Sequence, residues 1–346
     1  ESKHSETEFV LRRCSMSRMT GVVDRGSDRS ARHKRDATLA YRHTDQPTAR
    51  QHTIAAPAVC AGVVVHDGRH VRMVLKPAPV DTGIVFVRTD VTDRNNRIAA
   101  LTHNVVQSQL NTEIANAQGV GVFTIEHLMS ALSALGIDNV TVELDGPECP
   151  IMDGSAAPFV QLLDRAGKKA QDAPRRFIEV LERIEVSAGD KMASLAPAPA
   201  FVMDFEIRYA TPVIGAQRIA FEVTEDSFRR EIAPARTFGF MHEVEQLRAM
   251  GLALGGSLEN VVVIKDDAVL NPEGLRMERE FVRHKAMDAV GDLYTLGAPL
   301  LARFQTVRGG HALNNQLCRA LLARPEAWRF VTFPPTEASQ DLARAV

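Results

Sequence analysis

Apolar and polar positions along the chain fall into short alternating runs broken by a few long helical patterns. From residue 51, runs rich in Val, Ile, Leu and Phe at 59–65, 70–76 and 82–88 are separated by Gly68, Pro77 to Pro79 and Asp90, which predicts an antiparallel meander. Short segments at 98–106 and 120–124 lead into 124–135. There Leu128, Met129, Ala131, Leu132, Ala134 and Leu135 surround a helix on nearly every side, so it should be buried, with Thr124 as its N-cap and Gly136 as its stop. A strand at 139–144 precedes a helix begun by Ser155 and Pro158 and ended by Gly167. Residues 168–174 read as a polar, proline-containing link. Strand texture resumes at 177–186, 191–195, 201–209 and 218–223, followed by a helix at 281–293, a strand at 302–307 and a helix at 313–323.

The second half therefore repeats the element order of the first, which predicts a structural duplication of α+β type. The expected division is an extension over 1–50, a first α+β domain over 51–170 and a second over 175–340. Residues 237–271 read as an insertion in the second, with an amphipathic helix at 242–250, a turn at Gly251, Gly255 and Gly256, and a buried-type strand at 261–264. Residues 1–50 have too few apolar positions to pay for their own ordering, and are expected to be disordered or outside the fold. Their acids (Asp24, Asp28, Asp36, Asp45) argue against an organelle transit peptide.

Composition narrows the function classes. With 346 residues, 45% hydrophobic and 24% charged, the chain has room for two cores. A net charge of -2 gives no general attraction to nucleic acid or an anionic membrane. Cys14, Cys60, Cys149 and Cys318 are too scattered for a disulfide framework or a thiolate zinc site, and no apolar run reaches the length of a membrane span. The expectation is a cytoplasmic, monomeric protein.

Three groups of residues carry candidate chemistry. In 281–293, His284, Asp288 and Asp292 recur at i+4 steps on one face, opposite Val282, Ala286, Ala289, Val290 and Leu293. By itself that polar stripe reads as a solvated face. Glu126 and His127 are consecutive on the buried helix, about 100° apart, and can reach one pocket. By itself the pair reads as a core histidine beside a glutamate favoured by the helix dipole. Together, His127, His284 and Asp288 make a two-histidine, one-carboxylate shell, which is a catalytic zinc set with a position left for water, and equally an Fe(II) facial triad. Glu126 is then the general base. In Gly309-Gly-His-Ala-Leu-Asn-Asn315 a glycine pair can carry His311 into a confined site. Oriented by Asp292, its imidazole can stabilise an oxyanion and protonate a leaving amine, and Thr237 could give a second donor.

These residues resemble the UDP-3-O-acyl-N-acetylglucosamine deacetylase family of lipid A biosynthesis, LpxC. The likeness runs through Thr124-Ile-Glu-His-Leu128, Leu135-Gly-Ile-Asp-Asn139, Pro150-Ile-Met-Asp-Gly-Ser-Ala-Ala-Pro-Phe159, Ala235-Arg-Thr-Phe-Gly-Phe-Met241, the stretch from Phe281 to Asp292 and Gly310-His-Ala-Leu-Asn-Asn315. The resemblance implies two similar stacked α+β domains, each a sheet with helices on one face, the helices lying between the sheets. It implies His127, His284 and Asp288 as zinc ligands, Glu126 as base, Thr237 and His311 at the oxyanion and leaving group, and Asp292 orienting His311. It further implies Lys285 as a substrate contact, Phe238 and Phe240 beside the nucleotide sugar, and an acyl passage formed by the insertion.

The sequence departs from the family pattern at Val64, which replaces a glycine, at Asn111 in the run Leu110-Asn-Thr112, and at Phe123. A β-branched residue at position 64 would be strained if the glycine it replaces had a positive φ. The activity so implied is metal-dependent hydrolysis of the N-acetyl group of a UDP-sugar acylated at the 3-position. The alternative is a UDP-sugar or lipid-binding descendant that has lost turnover. The C-terminal Asp341-Leu-Ala-Arg-Ala-Val346 reads as a recognition tag for a regulatory protease.

Overall fold

Two hairpins with a third strand entering between them form a unit that occurs twice. The fold is that of a computed structural model, which describes residues 50–107 and 110–334. In the first copy the hairpins Ala58–Val63/His70–Pro77 and Ile84–Arg88/Arg97–Ala99 flank the strand Val140–Leu144. That strand is antiparallel to His70–Pro77 and parallel to Ile84–Arg88. In the second copy Ile184–Ala188/Lys191–Pro197 and Val202–Arg208/Ala216–Glu222 flank Leu300–Val307 with the same two senses. Phe177–Val180 and Trp328–Val331 extend the second sheet. The duplication expected from element order is thus present in the hydrogen-bond topology. Sequence alternation sets the faces: in His70–Pro77, Val71, Met73 and Leu75 are buried while Arg72 points to solvent.

The helices are α1 (Glu126–Ala134), α2 (Ala157–Ala166), the short α3 (Glu225–Ser227), α4 (Met241–Ala249), α5 (Glu280–Tyr294) and α6 (His311–Leu322). A π-helical turn, Phe228–Ile232, continues α3 and was not foreseen. In each copy one helix runs into the central strand and another leaves it: α1 and α2 in the first, α5 and α6 in the second. α2 packs on α1 and on Ala58–Val63, α5 on Val202–Arg208, α6 on the hairpin 184–197, and α1 on α5, over one continuous core. This is the predicted α+β architecture, with helices between two sheets.

Where α1 crosses α5 there is no room for a side chain. A Cβ built on Gly291 would lie 2.1 Å from the Glu126 carbonyl oxygen. The close approach brings the first turn of α1 onto the polar face of α5. Both faces of α5 are consequently buried, with His284, Asp288 and Asp292 each 3% exposed.

Several local expectations are corrected. Residues 168–174 are not a link: Lys168–Pro174 is a strand paired antiparallel with Arg50–Ile54. Thr124 does not cap α1. It has a left-handed φ of 58°, its hydroxyl donates to Glu148 Oε1 at 2.8 Å, and the N-cap position is Ile125 without a side-chain bond. Ala156 rather than Ser155 is the N-cap of α2, although Ser155 Oγ still accepts from the Ala157 amide at 3.2 Å. The insertion is a small sheet, Phe238–Phe240 parallel to Val262–Lys265 and the latter antiparallel to Ala268–Val269, with α4 packed on it. The readings of residues 1–49 and of 341–346 fall outside the described residues. Among those described, no helix is long and apolar enough to cross a membrane.

Candidate active site and metal centre

Two helices bring the predicted ligands together. His127 lies in the first turn of α1, and His284 and Asp288 lie one turn apart on α5. Asp288 Oδ1 is 3.5 Å from His127 Nε2 and 3.4 Å from His284 Nε2, and the three donor atoms lie within 4.8 Å of one another. Tetrahedral ligands about 2.0–2.1 Å from a zinc ion stand about 3.4 Å apart, so both separations from Asp288 match such a shell. Asp288 Oδ1 is buried and has no hydrogen-bond partner. An orphaned carboxylate oxygen between two imidazole nitrogens is what a cation would satisfy. The residues fit a divalent metal.

The protonation states suit that fit. Burial pushes the His284 pKa down to about 3, against the pull of Asp288, so the ring is neutral and able to ligate. Its Nδ1 faces the Ala235 carbonyl at 3.2 Å. That oxygen can only accept, which fixes Nδ1 as the donor and leaves the Nε2 lone pair toward Asp288. The Ala235 segment is itself anchored: Arg236, 1% exposed, donates through Nε to Glu280 Oε1 at 2.9 Å at the start of α5. Burial alone would raise Asp288, yet it is held well below the ordinary carboxylate range. The neighbouring His284 and the Lys285 ammonium, 3.0 Å from Asp288 Oδ2, oppose the burial and hold it there.

The remaining predicted residues face the same place. Glu126, His127, Thr237, Phe238, Phe240, His284, Lys285, Asp288 and His311 line one cavity of about 210 Å³. Glu126 is buried, its Oε2 accepting from the Thr112 amide at 3.1 Å, and desolvation pushes its pKa up. His311 follows the Gly309-Gly310 pair as the first residue of α6, where the helix dipole disfavours an imidazolium. Asp292 answers this, taking His311 Nδ1 at 2.9 Å and Asn314 Nδ2 at 2.9 Å. Although burial opposes the charge, Asp292 raises the His311 pKa to about 9. His311 Nε2 points back into the site, 4.0 Å from Glu126 Oε1 and 3.8 Å from Asp288 Oδ2. Asp292 itself stands behind His311 and does not line the cavity.

Tyr209 completes an aromatic wall, with ring centroids 5.8 Å from Phe238 and 6.0 Å from Phe240. Sequence reasoning missed Tyr209, Thr112 and Asn314. Asn314 could have been found from its i+3 spacing to His311 and Thr112 from its place in the run Leu110-Asn-Thr112, whereas Tyr209 leaves no local signal. A second, apolar cavity of about 370 Å³ shares Glu126, His127, Thr237 and Phe238 with the first. It continues between Val65 and Ile151 on one side and Met241, Val244, Leu247, Val261 and Val263 of the insertion on the other.

Residues 51–323 match the family model of LpxC, UDP-3-O-acyl N-acetylglycosamine deacetylase. The chain belongs to this family. A relative from Phenylobacterium zucineum (strain HLK1), named UDP-3-O-acyl-N-acetylglucosamine deacetylase, is 60% identical over 296 residues, covering 86% of this chain and 99% of the relative. Proteins of the same name from Acidithiobacillus ferrooxidans and Vibrio parahaemolyticus are 49% and 47% identical, covering 85% and 82% of this chain and 97% and 93% of their own length.

The three departures from the family pattern leave the ligands undisturbed. Val64 is fully buried, is not among the left-handed residues, and its amide donates to the Arg69 carbonyl at 2.9 Å, so the strain foreseen for it does not arise. Asn111 Nδ2 lies 2.7 Å from His66 Nε2 and donates to Thr124 Oγ1 at 3.1 Å. Phe123 lines a side cavity with Pro147 and Leu252.

Proposed function

We propose that this chain hydrolyses the N-acetyl group of UDP-3-O-acyl-N-acetylglucosamine, the committed step of lipid A biosynthesis, with His127, His284 and Asp288 holding a zinc ion. The observation that carries the reading is the convergence of that ligand set with Glu126 and an Asp292-backed His311 on one cavity, in a chain of this family. A divalent ion in this shell supplies Lewis-acid polarisation of the amide carbonyl and an acidified water.

The chain's own groups do the rest. Glu126, ionised, takes a proton from the attacking water and is held for that task by the Thr112 amide. His311, protonated through Asp292, donates toward the developing oxyanion and then gives its proton to the leaving 2-amino nitrogen. Thr237 offers a second donor from the cavity wall. Lys285 contacts the substrate, and Phe238 and Phe240 flank the nucleotide sugar with Tyr209 beside them. The apolar cavity beneath the insertion takes the 3-O-acyl chain. The two sheet units, 51–170 and 175–340, act as domains with the site at their interface, and the enzyme works as a cytoplasmic monomer.

Zinc is favoured over Fe(II) because two short ligand separations fit a tetrahedral shell. Elemental analysis of the purified chain is expected to find one zinc per chain. Chelation should abolish deacetylation, zinc should restore it, and His284→Ala should retain no stoichiometric ion. Full activity after the ion is removed, or an undiminished ion content in His284→Ala, would rule out this shell.

A further inference from the structure

We infer that Thr112 is a positioning residue that aligns the two proton-transfer groups of the site with each other, an inference that rests on the roles proposed above for Glu126 and His311. Thr112 is 3% exposed and does not line the reaction cavity. Each of its polar groups is bonded, two of them to the catalytic machinery and the third to the start of α1. Its amide donates to Glu126 Oε2 at 3.1 Å, its carbonyl accepts from the Ile125 amide at 3.4 Å, and its hydroxyl donates to Asp292 Oδ1 at 2.6 Å. Position 292 lies 180 residues further on in the second half of the chain.

The consequence follows from carboxylate geometry. Asp292 Oδ2 receives His311 Nδ1 at 2.9 Å and Asn314 Nδ2, while Oδ1 stands 3.2 Å from the same imidazole nitrogen, so the bonds from α6 give Oδ1 no donor of its own. The Thr112 hydroxyl on Oδ1 fixes the carboxylate plane, and with it the direction in which His311 presents Nε2 to the cavity. Threonine suits the position because its β-branched side chain is stiff at χ1. The hydroxyl direction is thereby tied to the same backbone that holds Glu126. The base on α1 and the acid on α6 are registered to each other through one residue that touches neither the substrate nor the metal ligands.

A buried hydroxyl that merely satisfies a carboxylate would affect stability instead, and the two roles separate by experiment. Thr112→Val keeps the volume and both backbone bonds and removes the hydroxyl, whereas Thr112→Ser retains it. In the metal-loaded full chain, Thr112→Val is expected to lower kcat for the acetylated UDP-sugar by about 10- to 100-fold, the loss of one charge-assisted hydrogen bond, with KM within about threefold. Thr112→Ser should stay within about threefold of the parent. On an Asp292→Ala background, Thr112→Val should lower kcat by less than about twofold more, since the hydroxyl acts through that carboxylate. A parental kcat in Thr112→Val, an equal loss in Thr112→Ser, or a fully additive loss on the Asp292→Ala background would each overturn the inference. If Asp292→Ala and Glu126→Gln themselves keep the parental kcat, the proposed roles fail and the inference falls with them. If they lose activity and Thr112→Val does not, only the inference fails.

Discussion

Glu126→Gln is expected to lower kcat by about 10²–10⁴-fold while changing KM little. The glutamine carbonyl can still accept from the Thr112 amide, so the side chain keeps its place and loses only its basicity. The pH dependence should change in a specific sense. Burial raises the Glu126 pKa, and the reaction needs the ionised form, so the parental rate climbs as pH rises through that value. His311 is needed protonated and titrates at about 9, so the rate falls as pH rises past it. Glu126→Gln should therefore lose the acidic limb and keep the basic one. His311→Ala should show the converse. A pH–rate profile for each variant reads this out, and an undiminished kcat in both would remove the assigned proton-transfer pair.

The second large effect is expected at a residue that has no side chain. Gly291→Ala places a methyl 2.1 Å from the Glu126 backbone oxygen, where neither partner is a flexible side chain. The crossing of α1 and α5 must open, with a destabilisation of about 3 kcal/mol or more, roughly 5–10 °C in Tm for a chain of this size. Activity should fall with it, since the same displacement moves Glu126 and His127 away from His284 and Asp288. Gly189→Ala is the comparison. Gly189, unlike the helical Gly291, carries a positive φ of 62°, but it has open space around it, so its loss should stay at about 1 kcal/mol. Equal Tm shifts in the two variants would show that the close crossing does not matter.

The Gly291 crossing also explains what the sequence could and could not tell. The period of 281–293 correctly separates an apolar stripe from a stripe of His284, Asp288 and Asp292. Nothing in that helix alone says that the polar stripe is buried. It becomes so only because a glycine on the same helix admits the first turn of α1, and a single glycine within a helix is read most simply as a mild loss of helix propensity. The buried character of α1 was legible because apolar residues surround it, and the duplicated topology because element order repeats.

Other features are set by tertiary contacts that leave no periodic trace. The polar stretch Lys168–Pro174 forms a strand because Arg50–Ile54 pairs with it and because Asn139 donates to both Gln51 and Gln171, at 2.8 Å each. Alternation of apolar residues played no part. Thr124 has the residue type of an N-cap, but Glu148, 24 positions later, captures its hydroxyl. Thr112 bonds to Glu126, 14 positions later, and to Asp292, 180 positions later, and no periodic pattern around it points to either.

Single-turnover release of acetate from UDP-3-O-acyl-N-acetylglucosamine, followed with enzyme in excess and zinc at one equivalent, tests the central claim most directly. Stoichiometric acetate and free amine are expected from the parent chain, with a rate lowered by at least about 10²-fold in Glu126→Gln under the same conditions. Substrate bound but left intact by the zinc-loaded parent would contradict it and favour a sugar-lipid binding protein on the same scaffold.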